Sequence, residues 1–190
     1  MEKISLGKNG MMFPMSLGII GVNITANQPN FTTVSSIATA SLDPPLVSFS
    51  LNKVRFSNKY IIEKKTFSVN FPSANILDKV DYCGLVSGAN LDKSQIFQTF
   101  YGTLPDTPMI KECPLCIECK LVAVIDLPKN ELFIGQIINT YSEQKYLTNG
   151  KIDTTKLGLC TLNFADSSYR TPGKTAGKAF CDGTKLASLT

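Results

Sequence analysis

The chain contains no histidine and no tryptophan, and only 18% of its 190 residues are charged. Imidazole is the most frequent general base of enzymes and the most frequent metal ligand among side chains. Its absence excludes Ser-His-Asp and Cys-His catalysis, and it excludes zinc or haem held by histidine. Any chemistry of this chain therefore depends on other side chains or on a bound cofactor.

A basic block and a long apolar segment are also missing. The net charge is +4, but the lysines are scattered and the longest basic run is Lys64-Lys65, so we expect no nucleic-acid partner. The apolar runs have the length of a strand, as in 17–22, well short of the roughly 20 residues that span a bilayer. We therefore expect no membrane association. Six cysteines without a secretion signal indicate a reducing, cytoplasmic environment.

The local patterns predict a mainly β, antiparallel barrel or sandwich with short helices in its connections, as one domain over 1–190. The predicted strands are Ser16–Val22, Thr32–Ala40, Leu46–Leu51, Phe67–Phe71, Cys113–Asp126 and Glu131–Tyr141. The last two form a hairpin about the turn at 127–130. Short helices are predicted within Asn52–Lys65, Ser73–Lys79 and Asp92–Phe97, with Ser57, Ser73 and Asp92 at their starts.

Three cysteines have the spacing Cys113-x-x-Cys116-x-x-Cys119, which occurs in iron–sulfur and zinc sites. The period of two in this predicted strand places Cys113 and Cys119 on one face and Cys116 on the other. Three thiolates on two faces do not converge on one metal ion. We therefore predict no metal site and interpret these cysteines as small buried apolar residues.

Three further segments carry groups that suit an anionic or polar ligand. A Ser/Thr cluster at 30–41 is either a ligand-holding strand edge or a strand with an ordinary polar face. Arg55 and Ser57 lie where a predicted strand gives way to a helix, and a helix N-terminus with an arginine attracts anions; a capped helix with a solvated arginine is the alternative. The segment around Ser87-Gly88, followed by Lys93, offers a tight turn and a cation.

These segments, in their order and spacing, resemble the flavin reductase-like, FMN-binding split-barrel family, in particular its flavoredoxin-type members. The resemblance covers nearly the whole chain. It rests on the segments 33–35, 41–47, 55–57, 67–70, 83–88 with 92–93, 117–119 and 133–135, and on Gly173, Gly177 and Lys178. It implies an antiparallel Greek-key split β-barrel, a homodimer, and an FMN site near the dimer interface.

The resemblance also implies which residues contact FMN. Those along the flavin are Asn30, Thr33, Val34 and Ser35, and those at the ring or ribityl chain are Ser50, Leu51 and Asn52. The candidates for the phosphate region are Arg55, Ser57, Ser87, Gly88 and Lys93. Tyr169 and the stretch 173–177 close the site, either in the same chain or from the partner subunit. Many relatives carry an aromatic residue where this chain has Ser36, so Phe31, Phe56 or Tyr169 would have to stack on the ring instead.

By resemblance, the leading function is an NAD(P)H-dependent flavin reductase that passes electrons through FMN to free flavin or to a redox partner protein. A flavoredoxin-like electron carrier, with tightly bound FMN and no NADH or NADPH activity of its own, is the alternative. A non-enzymatic FMN- or nucleotide-binding protein is a third reading. We assign no catalytic residue, because hydride transfer to a flavin is chemistry of the cofactor.

Overall fold

Seven antiparallel strands in one sheet form the framework of the protein. The computed structural model describes residues 2–8, 10 and 14–184. The strands are β1 (Gly18–Thr25), β2 (Gln28–Val34), β3 (Ala38–Leu42), β4 (Pro45–Asn52), β5 (Thr66–Phe71), β6 (Leu115–Asp126) and β7 (Asn130–Ser142). Their order across the sheet is β2-β1-β5-β6-β7-β4-β3. The expected mainly β, antiparallel fold is confirmed, and the predicted hairpin at 127–130 joins β6 to β7.

The helices are short and lie in the connections, as expected. They are α1 (Ser57–Lys64), α2 (Leu77–Leu85) and α3 (Thr154–Leu157), with 3-10 turns at Ala74–Ile76 and Gln144–Tyr146. Met15–Ser16, Thr161–Asn163 and Ser168–Arg170 form a small three-stranded sheet. Two further pairs of short strands are present: Thr99–Phe100 pairs with Met109–Ile110, and Leu147–Thr148 pairs with Lys151–Ile152. No helix among the described residues is long and apolar enough to cross a membrane.

Two apolar clusters lie on opposite faces of the sheet. The barrel interior is built around Phe49, which stacks on Phe133 at a centroid distance of 5.1 Å and meets Phe67 edge-on at 5.0 Å. Each fully buried side chain of this size stabilises the fold by about 1.5–3 kcal/mol. The second cluster fills the space between the sheet, α2 and the segment 96–113, and it contains Phe31, Cys83, Cys113 and Cys116. The barrel therefore supports α2 and its following loop, which form one wall of the site described below.

The predicted strand Thr32–Ala40 is interrupted at 35–37, where serine hydroxyls take the place of backbone partners for Ile37 and for Ser50 of β4. The Ser16 hydroxyl donates to the Ile37 carbonyl (2.6 Å) and accepts from the Ile37 N–H (3.0 Å). The Ser36 hydroxyl pairs in the same way with the carbonyl and N–H of Ser50, both at 3.0 Å. The chain can therefore bend between β2 and β3 without leaving these polar groups unpaired.

Two of the predicted helices differ from the structure. Asp92–Phe97 is a turn, in which Asp92 accepts from the Ser94 N–H at 2.8 Å, and Lys93 projects into the protein. The helix predicted at Ser73–Lys79 begins as a 3-10 turn and continues to Leu85, and Ser73 makes no side-chain capping bond. The predicted period of two across the cysteines also fails, because β6 begins only at Leu115 and the chain bends at Cys113.

Candidate functional site

One pocket of about 250 Å³ collects seven of the residues named from the sequence. We call it the cation pocket. Its lining residues are Thr32, Asn52, Val54, Arg55, Phe56, Ser57, Leu85, Val86, Ser87, Gly88 and Lys93. Three segments form it: the end of β2, the chain from β4 into α1, and the loop that follows α2. The lining contains two cations and no carboxylate, so the pocket favours an anion.

Lys93 is the most deeply placed of the two cations, with only 2% of its surface exposed. Its ammonium donates to the carbonyl oxygens of Phe31 (2.9 Å) and Cys83 (3.0 Å). An ammonium has three N–H donors, so one remains for a ligand. Burial lowers the pKa of Lys93, the thiol of Cys83 works against this shift, and the positive charge of Arg55 adds to it. An anion in the pocket would stabilise the charged lysine.

Arg55 is positioned by the turn that leads into α1. Its N–H bonds to the Asn52 carbonyl (2.9 Å), and its guanidinium donates to the Gly84 carbonyl (2.9 Å) near the end of α2. One nitrogen of the guanidinium therefore connects the two walls of the cation pocket. A guanidinium has five N–H donors in total, so others are available to a ligand. The N-terminus of α1, which begins at Ser57, adds backbone N–H groups and positive potential to the same side.

Asn30 lies behind the pocket, between Ser57 and Gly88. It is 1% exposed, and its amide nitrogen donates to the Ser57 hydroxyl at 2.8 Å. Its Oδ1 atom is buried and has no hydrogen-bond partner in the protein, which is costly unless a ligand supplies a donor. A Cβ at position 88 would overlap this Oδ1 atom and the Phe56 ring, so only glycine fits the close approach of this loop.

The remaining predicted residues do not line the cation pocket. Val34 and Leu51 point into the barrel interior, so only their backbone is available to a ligand. The Thr33 hydroxyl donates to the Val80 carbonyl, and the Ser50 hydroxyl accepts from Asn130 at 2.9 Å. Ser35 is half-buried at the bend after β2. The hydroxyl and amide groups of the Ser/Thr cluster are therefore largely used within the fold.

Tyr169 and the glycine stretch lie elsewhere. The Tyr169 hydroxyl donates to Asp81 of α2 at 2.7 Å, and this contact together with burial raises the pKa of Tyr169 to about 12, with burial the larger cause. The residues 171–175 border a separate cavity beside α3. Among the aromatic candidates, Phe31 is buried edge-on against Phe97 at 5.3 Å and cannot stack on a ligand. Phe56 does line the cation pocket.

Sequence reasoning missed four lining residues: Thr32, Val54, Leu85 and Val86. Val54 and Leu85 are 85% and 77% exposed at the rim of the pocket. An apolar residue directly before Arg55, within an otherwise polar turn, was the available signal for Val54. Leu85 and Val86 fall within the segment 83–88 that carries the resemblance, but the predicted helix ended six residues before Leu85, at Lys79, so neither was named as a site residue.

Comparison with known proteins identifies the class. Residues 11–173 match the family described as "Flavin reductase like domain", so the chain belongs to the flavin reductase-like family. It is similar to two flavoredoxins of known structure. That of Methanosarcina acetivorans is 40% identical with a TM-score of 0.94, covering 98% of this chain and 100% of that one. That of Desulfovibrio vulgaris (Miyazaki F) is 28% identical with a TM-score of 0.89, covering 96% and 100%.

A more distant likeness shows the fold alone. The NADH:FAD oxidoreductase of Streptomyces globisporus, solved with NAD and FAD fragments, is 18% identical to this chain. Its TM-score is 0.71, and the match covers 87% of this chain and 89% of that one. The expected split-barrel fold and the expected family are therefore confirmed.

Proposed function

We propose that the chain binds FMN and transfers electrons through it, as a flavoredoxin-type carrier. The observation that carries the proposal is the cation pocket: Arg55, the buried Lys93 and the start of α1 surround one small space without a carboxylate. A phosphate monoester is the common biological anion that such a set of donors suits. The likeness to two flavoredoxins over nearly their full length supports FMN as the ester that carries it.

The residues present fit this cofactor. Arg55, Ser57, Ser87 and Lys93 would hold the phosphate, and the unpartnered Oδ1 of Asn30 would accept a hydroxyl of the ribityl chain. Gly88 leaves the space that this approach needs. Bound FMN supplies two-electron redox chemistry, so a chain without histidine needs no acid or base of its own. The protein's part is to bind and orient the cofactor.

The carrier is favoured over an NAD(P)H-dependent flavin reductase by sequence likeness. The flavoredoxins are 40% and 28% identical to this chain, whereas the likeness to the NADH:FAD oxidoreductase is limited to the fold. The electron partner of a carrier is a redox protein, and that of a reductase is free flavin together with NADH or NADPH. Anaerobic addition of NADH or NADPH to the flavin-loaded protein separates the two. Bleaching of the flavin absorbance within turnover times would establish the reductase.

A homodimer is part of the proposal. Val54 and Leu85 are large apolar side chains at the mouth of a polar pocket, and both are mostly exposed in one chain. A second copy that covered this rim would bury them and exclude water from the site. Light scattering at micromolar concentration should therefore give twice the mass of the chain, and Leu85→Lys should shift the protein toward the monomer.

The substitution Arg55→Ala tests the phosphate assignment. We expect FMN affinity to fall by about 10- to 100-fold, because a charge-assisted hydrogen bond contributes roughly 1.5–3 kcal/mol. Riboflavin has the same ring and no phosphate, so its affinity should change little. The matched control is Lys120→Ala, which removes one exposed positive charge on β6, outside the pocket. Equal loss of both ligands in Arg55→Ala would refute the assigned role.

A further inference from the structure

A second cavity, of about 400 Å³, borders the second apolar cluster, with which it shares Cys113 and Cys116. It is lined by Phe100, Lys111, Cys113, Cys116, Tyr141, Ser142 and Glu143. We call it the cysteine cavity, because two cysteines line it beside Phe100 and Tyr141. Both cysteines are free and have less than a tenth of their surface exposed. Both residues nevertheless line the cavity, which gives a small molecule a path toward them.

The local chain geometry brings the Cys116 thiol against the backbone of Cys113. The chain bends at Cys113 and Pro114 before β6 begins. The N–H of Cys113 donates to the Ile110 carbonyl at 3.2 Å, and the Cys116 thiol donates to the same oxygen at 3.3 Å. The Cys116 sulfur also lies 3.8 Å from the carbonyl oxygen of Cys113. The bend therefore folds the Cys-Pro-Leu-Cys segment so that one sulfur lies against the backbone of the other cysteine.

The chain contains its own contrast to this pair. Cys116 and Cys119 have the same spacing, but both lie within the extended strand β6. Residues three apart on a strand point to opposite faces and are separated by about 10 Å of chain. Cys119 accordingly packs inside the barrel with Phe67 and Phe133, away from the cysteine cavity. Spacing alone does not pair cysteines here; the bend at 113–114 does.

We propose that Cys113 and Cys116 form a reversible intramolecular disulfide by exchange with a low-molecular-weight disulfide. One thiolate attacks the external disulfide RS–SR, which forms a protein–SR bond and releases one RS⁻. The other thiolate then attacks the protein sulfur of that bond, which closes the Cys113–Cys116 bond and releases the second RS⁻. Two electrons pass from the protein to RS–SR, and the two thiol protons end on two RSH molecules.

The surroundings decide the rate and the product. Burial raises the pKa of Cys116 to about 12 and the pKa of Cys113 also lies well above its usual range. Exchange needs a thiolate, so it should be slow at neutral pH and should accelerate by up to tenfold per pH unit. The product carries no charge, which suits an apolar wall better than two thiolates would. The site is therefore a slow redox modification site rather than a fast exchange catalyst.

The test is oxidation of the reduced protein with excess oxidised glutathione, followed by acid quenching and alkylation after denaturation. A Cys181→Ser background removes the exposed cysteine. Of the six cysteines of the chain, five then remain, and we expect two to become unreactive to the alkylating reagent. The peptide that contains Cys113, Cys116 and Cys119 should lose two hydrogens, and its fragment ions should carry the alkyl group on Cys119.

Substitutions within this background assign the pair. Cys119→Ala should retain the disulfide, whereas Cys113→Ala and Cys116→Ala should abolish it and leave at most a mixed disulfide with glutathione. Circular dichroism checks that each variant is folded, and the fragment ions of the parent protein answer the question without any core substitution. Alkylation of all five thiols after oxidation at pH 9, or a bond that involves Cys119, would overturn the proposal.

Discussion

The cation pocket and the region around the cysteine cavity differ in whether the protein satisfies the hydrogen bonds of their buried polar groups. At the cation pocket, two buried groups have hydrogen-bonding atoms that the protein does not use. The Lys93 ammonium has one unused donor, and the Oδ1 atom of Asn30 has no partner. Beside the cysteine cavity, Glu118 is fully buried and its carboxyl group is satisfied. It accepts from the Thr103 N–H (3.1 Å), the Leu104 N–H (2.9 Å) and the Tyr141 hydroxyl (2.7 Å).

Buried polar groups indicate a ligand when the protein leaves their hydrogen-bonding capacity unused. A satisfied group such as Glu118 stabilises its own loop, because every oxygen already has a donor from the protein. An unsatisfied group costs free energy in the folded chain unless a ligand completes it.

Lys93→Met should cause the largest loss of FMN affinity. It removes the buried ammonium and keeps an unbranched apolar side chain of similar length. We expect FMN to bind roughly 100-fold more weakly, since a charge-assisted bond to phosphate is lost in a site shielded from water. Riboflavin should be affected much less. Fluorescence quenching titrations with both ligands measure the two affinities.

A second readout distinguishes loss of binding from loss of folding. Without a ligand, the buried charge of Lys93 is unfavourable. Lys93→Met should therefore change the free energy of unfolding of the ligand-free protein, measured with urea, by less than it changes the free energy of FMN binding. Should the two ligands lose affinity in parallel, Lys93 would support the pocket wall and not the phosphate.

Glu118→Gln should destabilise the protein and leave the cation pocket intact. Both carboxyl oxygens face backbone N–H donors, so the amide NH₂ of glutamine must point at a donor in either orientation. We expect a loss of about 1–3 kcal/mol in the free energy of unfolding. Urea unfolding measures it, with Glu143→Gln at the exposed rim as the control. A matching fall in FMN affinity would show that the two regions are not independent.

The preference for FMN over riboflavin should depend on pH in a predictable direction. A phosphate monoester loses its second negative charge below about pH 6. Lys93 loses its positive charge as the pH rises through its lowered pKa, which lies below 10.5. The ratio of the two affinities should therefore fall by roughly tenfold on each side of a maximum that lies between about pH 6 and the lowered pKa of Lys93. Both ligands share the flavin ring, so ring titration cancels in the ratio. In Lys93→Met the alkaline decline should disappear.

Much of the fold followed from the sequence, because alternation and turn residues are local signals. The barrel strands, their hairpin and α1 were predicted close to their observed positions. The failures have a tertiary cause. The strand over 32–40 ends early because the Ser16 hydroxyl satisfies the backbone of Ile37, while the Ser36 hydroxyl satisfies the backbone of Ser50 in β4. The segment 92–97 is a turn because Lys93 must reach the carbonyls of Phe31 and Cys83.

For the candidate site, too, local sequence signals predicted some features and tertiary packing determined the others. Arg55, Ser57, Ser87, Gly88 and Lys93 line one pocket, and their contact with a phosphate stays a prediction. That convergence depends on how α2 packs on the sheet, which no local pattern contains. The predicted faces of the three cysteines were wrong for a related reason. A period of two applies only within a strand, and Cys113 precedes β6. Leu85 was missed because helix ends are set by packing as much as by sequence.

Tyr169→Phe should have the smallest effect. Its hydroxyl donates to Asp81 on the outer side of α2, and the phenol does not line the cation pocket. Loss of a partly exposed hydrogen bond should change the free energy of unfolding by about 0.5 kcal/mol or less, and FMN affinity should be nearly unchanged. The resemblance implied instead that Tyr169 closes the flavin site, in the same chain or from the partner subunit. A marked fall in FMN affinity in Tyr169→Phe, without such a fall in Asp81→Asn, would mean that the tyrosine reaches the cofactor across a dimer. Ligand-binding groups and structural groups would then have to be distinguished in the assembly, because one chain alone does not contain the complete site.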